Sequence, residues 1–123
     1  MKRVLVVDDD DNVVEVISAN LVAEGYEVEV TGDGATAWER VVTAPPDLVV
    51  LDWMLPGRSG LDLLRDFRRH PRTRHLPIVM LSAKASDAEI WEGWQAGADF
   101  YLTKPFMIEQ LLHHLEQLSA PIG

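Results

Sequence analysis

The chain has 123 residues, 47% of them hydrophobic, which is enough for one compact domain with a substantial core and too few for two. Eleven basic side chains against twenty acidic ones give a net charge of −9 at pH 7, a balance that repels nucleic-acid phosphates and anionic membrane surfaces. The chain has no cysteine, so disulfides, a thiolate nucleophile and cysteine-based zinc sites are excluded.

Met1-Lys2-Arg3 runs directly into the apolar burst Val4–Val7, too short for a signal peptide or membrane span, so the chain reads as cytoplasmic. That burst is a predicted strand and ends in Asp8-Asp9-Asp10-Asp11. Asn12-Val13-Val14-Glu15 fits a capping box, with Val14, Ile17 and Leu21 marking one side of a helix that Gly25 closes. Val28–Val30, between acids, is a second strand; after the loop Thr43-Ala44-Pro45-Pro46, Leu48–Leu51 is a third and ends at Asp52.

Beyond the loop His70–His75, Ile78–Leu81 is a fourth strand and leads into Ser82-Ala83. Phe100–Leu102 is a short fifth strand, stopped by Lys104-Pro105 because proline cannot continue a ladder. From Met107 to Leu118, the residues Ile108, Leu111, Leu112, Leu115 and Leu118 share one face at helical spacing. The domain is expected over residues 1–119, with 120–123 as a frayed tail. No effector segment follows the last helix, so the chain reads as a stand-alone regulator or as a piece of something larger.

Strand and helix alternate five times. The first, third and fourth strands are apolar throughout, as strands buried on both faces must be, so the fold class is an α/β doubly wound sandwich. Such sheets bind ligands beyond the carboxyl ends of their strands. Here those ends carry Asp8 to Asp11, Asp52, Ser82 and Lys104. Carboxylates gathered at one end repel one another unless a hard divalent cation intervenes, and magnesium takes one or two carboxylates while keeping waters and phosphate oxygens. Individually each residue has a plainer account: the acid run as a solvated helix-capping loop, Ser82 as a cap, Lys104 as a surface lysine, Asp52 as a turn former. Together they suit a carboxylate that attacks phosphorus, a cation that screens it, and donors that hold the transferring oxygens.

The whole order Val4–Val7-Asp8-Asp9, Leu48–Leu51-Asp52, Pro56-Gly57 with Gly60, Leu81-Ser82-Ala83, Gly97-Ala98 and Lys104-Pro105-Phe106 resembles the receiver domain of bacterial response regulators over nearly the full chain. The resemblance implies a flavodoxin-like (βα)5 fold with a five-stranded parallel sheet in the order 2-1-3-4-5, and a cis Lys104-Pro105 peptide. It implies Asp52 as phosphoacceptor and a magnesium ion held by Asp8, Asp9, Asp52 and the backbone carbonyl of Met54. It further implies that Lys104 pairs with the phosphoryl group, that Ser82 moves to bond a phosphoryl oxygen, and that Tyr101 changes rotamer with it. The implied partners are a sensor histidine kinase or phosphotransfer protein, or a small phosphodonor, and a downstream protein or effector domain read through the fourth helix, fifth strand and fifth helix. Such a chain is a signalling phosphoacceptor and not an enzyme in the turnover sense, although it assists its own phosphorylation and dephosphorylation. The segment Gln110–Gln117 lacks the arginines of the family's symmetric dimer, which leaves a homodimer open.

Of the aromatic residues, Trp91 is expected in the core, Ile90 and Trp94 either as an exposed anchor or as core, and Trp53 as a surface-loop residue. His70, His75, His113 and His114 read as solvated, and the arginines at 65, 68, 69, 72 and 74 as a solvated helix end or a site for an acidic partner. Three alternatives remain. A flavin mononucleotide carrier needs a Gly/Ser/Thr-rich loop where Asp8 to Asp11 stand, and an aspartyl phosphohydrolase needs a second acid where Met54 stands. The third is a protein-interaction module of receiver fold that acts without phosphorylation.

Overall fold

A computed structural model of the chain describes residues 1–119; the predicted frayed tail, 120–123, lies outside the described residues. Five strands and five helices alternate: β1 (Arg3–Val7), α1 (Asp11–Ala23), β2 (Glu27–Thr31), α2 (Gly34–Thr43), β3 (Leu48–Leu51), α3 (Gly60–Arg69), β4 (Ile78–Ser82), α4 (Asp87–Ala96), β5 (Phe100–Thr103) and α5 (Ile108–Ser119). All strand pairs are parallel and the order is β2-β1-β3-β4-β5, the flavodoxin-like order.

Strand side chains alternate between faces, and uniformly apolar strands therefore feed two cores. Leu5, Val7, Val49, Leu51, Ile78 and Met80 pack against Ala37 and Val41 of α2 and Leu63, Leu64 and Phe67 of α3. Val4, Val6, Leu48, Val50, Val79 and Leu81 pack against Ile17 and Leu21 of α1 and Leu111 and Leu115 of α5. Among the described residues no helix is long and apolar enough to cross a membrane.

Several local expectations are corrected. The cap of α1 is Asp10, whose Oδ1 accepts from the backbone N–H groups of Asn12 and Val13, so Asn12 lies inside the helix. A reciprocal capping box stands instead at Ser86 and Glu89, opening α4. Trp91 is 65% exposed and is not a core residue. The inward face of α4 is set by Gly93, where a Cβ would lie 2.6 Å from the Tyr101 ring, and Trp91, two residues away, points to the opposite side. Trp94 is also exposed and meets Phe100 edge-on, its ring 6.5 Å away.

Trp53 is buried beneath its loop, against the first core and edge-on to Tyr101 at 6.5 Å. His113 and His75 are exposed, whereas His114 stacks on Phe100 at 3.9 Å and His70 sits against Trp38. Arg68 is no solvated helix end: its guanidinium donates to the carbonyls of Gly97, Arg74 and Leu76 and pairs with Asp99, tying the end of α3 to the start of β5.

Candidate functional site

Strands β1 and β3 are neighbours with Val7 opposite Leu51, so the next residue on each, Asp8 and Asp52, emerges beside the other at one end of the sheet. Backbone bonds continue past the strands and fix both: Asp8 N–H donates to Thr31 O at 3.1 Å and Asp52 N–H to Val7 O at 2.9 Å. Lys104 is held in the same way by its N–H to Ser82 O at 2.8 Å. From there its Nζ crosses the end of β4 and donates to Asp8 Oδ2 at 2.8 Å and Asp52 Oδ2 at 3.1 Å.

The two bridged carboxylates are almost fully withdrawn from solvent, Asp8 at 3% and Asp52 at 5% exposure, while Asp9 is exposed above them. One oxygen from each of Asp8, Asp9 and Asp52 lies within 4.8 Å of the others. Their remaining oxygens are partly satisfied: Asp8 Oδ1 accepts from Asp10 N–H at 2.9 Å and Asp52 Oδ1 from Met54 N–H at 3.2 Å. Burial, and then the neighbouring Asp8, pushes the Asp52 carboxyl above its usual range, with Lys104 and the Met54 N–H opposing the rise. Burial alone would lower the Lys104 ammonium, but Asp8 and Asp52 outweigh it and raise it.

The loop after Asp52 is clamped from below. Gly60 opens α3 so close to the Asp52 backbone that a Cβ there would fall 1.8 Å from Asp52 O, and Gly60 N–H donates to Trp53 O at 2.7 Å. Only glycine fits that approach. The loop borders an open cleft of about 690 Å³, lined among others by Asp9, Asp52, Met54, Ser59, Lys84 and Lys104.

The predicted site residues therefore divide into two groups. Asp8, Asp9, Asp52 and Lys104 converge, and Met54 lines their cleft with its side chain exposed. Ser82 ends β4 fully buried beside them, its Oγ accepting from Lys84 N–H at 3.1 Å. Tyr101 is turned inward, its hydroxyl donating to Lys84 O at 2.6 Å; burial pushes its phenol up. Lys84, which the sequence singles out two residues after Ser82, bonds both Ser82 and Tyr101 through its backbone and lines the cleft.

The carboxylates fit a hard divalent ion. They are oxygen donors in excess of local positive charge, and the open cleft leaves room for waters and ligand oxygens, the coordination magnesium prefers. A flavin phosphate, by contrast, would face Asp9 and Asp10.

The response regulator receiver domain family matches residues 4–116. The phosphate regulon transcriptional regulatory protein PhoB of Rhizobium meliloti (strain 1021) is 39% identical over 118 residues, which are 96% of this chain and 52% of that protein. The chain spans about half the length of the curated relatives it matches. Among solved structures, the receiver domain of the Francisella response regulator 1452 superposes with a TM-score of 0.90 at 35% identity, covering 96% of each chain. The receiver domain of sensor histidine kinase PA1611 from Pseudomonas aeruginosa PAO1 superposes at 0.88 and 30% identity, covering 97% of this chain and 98% of that one, and that structure has a magnesium ion coordinated in its active-site cleft. The chain belongs to the response regulator receiver domain family.

Proposed function

We propose that this chain accepts a phosphoryl group on Asp52 from a histidine kinase, a phosphotransfer protein or a small phosphodonor, and that the modified domain controls a partner through the surface of α4, β5 and α5. The observation that carries this reading is Lys104 Nζ bridging two buried carboxylates, Asp8 and Asp52, at the open end of the sheet. A bridge of that kind holds one carboxylate in place beside another and keeps a cation ready for incoming phosphoryl oxygens.

In the transfer, an Asp52 oxygen forms the new bond to phosphorus while the bond from phosphorus to the donor's imidazole nitrogen breaks, the imidazole leaving with the electron pair. Asp8, Asp9 and the Met54 carbonyl would hold magnesium with Asp52, and when bound the ion screens the carboxylates and binds the transferring oxygens. Lys104 stays charged and follows the phosphoryl oxygens. Ser82, fully buried and tied to the Lys84 backbone, donates its hydroxyl once the group arrives, and Tyr101 responds through the same Lys84 backbone. The new charge of roughly −1.5 to −2 is what biases the switch. The receiver unit is residues 1–119, acting in the cytoplasm; the net charge of −9 argues against direct nucleic-acid binding by this chain.

Intact mass after incubation with acetyl phosphate and magnesium tests the reading: the wild type should gain the roughly 80 Da of one phosphoryl group, and Asp52→Ala should not. Absence of the gain together with absence of magnesium binding would favour an interaction module that acts without phosphorylation.

A further inference from the structure

Arg58 joins three parts of the molecule at the loop that follows Asp52. Its carbonyl lies so close to the start of α2 that a Cβ at Gly34 would fall 2.2 Å from it. Its guanidinium lies over the Trp38 ring of α2, 4.6 Å from the centre, and pairs with Asp66 of α3. Trp38 itself stacks on Phe67 of α3 at 5.4 Å, so the surface beneath the guanidinium is fixed.

We propose that Arg58 is a positioning residue for the metal: by pinning the loop to α2 and α3 it holds the Met54 carbonyl where magnesium needs it. The inference rests on the reading that Asp8, Asp9, Asp52 and the Met54 carbonyl hold magnesium. Asp8 and Asp52 are fixed by the sheet, through backbone bonds that continue β1 and β3. The Met54 carbonyl belongs to a loop, and its place is set by whatever holds that loop. Met54, Leu55, Pro56 and Ser59 line the cleft. At the near end Gly60 N–H donates to Trp53 O and Leu55 packs on the first core; at the far end Ser59 caps α3. Between them the chain turns at Gly57, whose φ of +79° suits glycine, and closes on itself through Arg58 N–H to Pro56 O at 3.1 Å. Arg58 is where that turn is tied to α2 and α3. Magnesium demands near-ideal octahedral geometry, so a carbonyl that drifts loses affinity, and outer partners that orient metal ligands are commonly worth about ten- to a hundredfold.

Asp66 also meets Arg69, at 3.8 Å, and Trp38 keeps its stack on Phe67, so removing the guanidinium strands neither partner. Charge alone and positioning predict opposite signs. Taking a positive charge from beside an acidic cleft tightens a bound cation, whereas taking the negative charge of Asp66 weakens it. Loosening the loop weakens magnesium binding in both cases.

Magnesium titration of the whole chain, followed by amide chemical shifts in NMR, tests the assignment. Arg58→Met should weaken magnesium binding about tenfold and Asp66→Asn about threefold. The double variant should bind no more weakly than Arg58→Met alone, because the two residues act as one unit. Ile17→Val, a modest loss of stability in the second core, should bind magnesium within about twofold of wild type. Unchanged or tighter binding in Arg58→Met overturns the assignment, as does additivity in the double variant or an equal loss in Ile17→Val. A wild type whose amides do not respond to magnesium overturns the metal reading of the cleft, and this one with it.

Discussion

Replacing Lys104 by methionine keeps the length and apolar stem of the side chain and removes its charge. At an effective dielectric of about 20, unit charges about 3 Å apart attract by roughly 5.5 kcal/mol, and Lys104 makes two such contacts, at 2.8 and 3.1 Å. Asp8 and Asp52, with oxygens within 4.8 Å, repel by roughly 3.5 kcal/mol on the same scale. Desolvation of three charges cancels most of the difference. Removing one partner of a fully buried pair costs about 3–5 kcal/mol; Lys104 keeps 19% of its side-chain exposure, so the figure is discounted to about 2–4 kcal/mol.

Urea unfolding in EDTA should therefore show Lys104→Met less stable than wild type by that amount. Adding magnesium to about 10 mM should close much of the gap, because the ion restores positive charge between the same carboxylates and stabilises only the folded form. The variant should accordingly gain more from magnesium than the wild type gains. Equal stability in EDTA, or a gap that magnesium leaves unchanged, would refute the electrostatic account of the site.

Three further outcomes follow from the geometry. Asp52→Asn should raise stability at pH 7.5 in EDTA: the raised Asp52 carboxyl means that its ionised form is disfavoured on folding, so the penalty appears as pH climbs through the folded value. The advantage should vanish below the unfolded carboxyl value of about 3.9, as a pH series of urea midpoints would record. Gly60→Ala should cost about 3 kcal/mol and weaken magnesium binding, since its Cβ would strike Asp52 O at 1.8 Å and displace the loop after Asp52; thermal melts and magnesium titration read both effects. Phe67→Ala, emptying the centre of the first core, should cost about 3–5 kcal/mol, whereas Trp91→Ala on the exposed side of α4 should stay within about 0.5 kcal/mol, as chemical denaturation of the pair would show.

What the sequence made legible is what depends on short-range pattern. Uniformly apolar runs at Val4–Val7, Leu48–Leu51 and Ile78–Leu81 read as strands covered on both faces because they are short and rich in branched aliphatics, and the structure buries them so. Parallel pairing then brings the residues after β1, β3 and β5 to one end, which is why Asp8, Asp52 and Lys104 meet although they are far apart in the chain. The cap of α1 was misplaced at Asn12 because Asn12-Val13-Val14-Glu15 has the Asn-x-x-Glu spacing of a capping box, whereas the cap is Asp10. The Asp8 carboxylate accepts from the Asp10 N–H, and Asp10, in the extended conformation of a cap, turns its own Oδ1 to the N–H groups of Asn12 and Val13.

The illegible features share a different cause: each depends on what a glycine admits or a backbone group receives across the fold. Gly93 lets Tyr101 come close against α4, and that contact, not the hydrophobicity of Trp91, decides which side of the helix faces in. Trp53 is drawn under its loop because Tyr101 and the first core occupy the space below, where a residue that follows an exposed-looking acid would not be sought. Tyr101 in turn is held inward by the carbonyl of Lys84, whose N–H holds Ser82. A chain of contacts thus runs from Ser82 through Lys84 and Tyr101 to Gly93 of α4. A side chain larger than hydrogen at position 93 would push the Tyr101 ring away and break the chain at its last link, leaving Asp8 and Asp52 in place and the contacts from Ser82 to α4 cut.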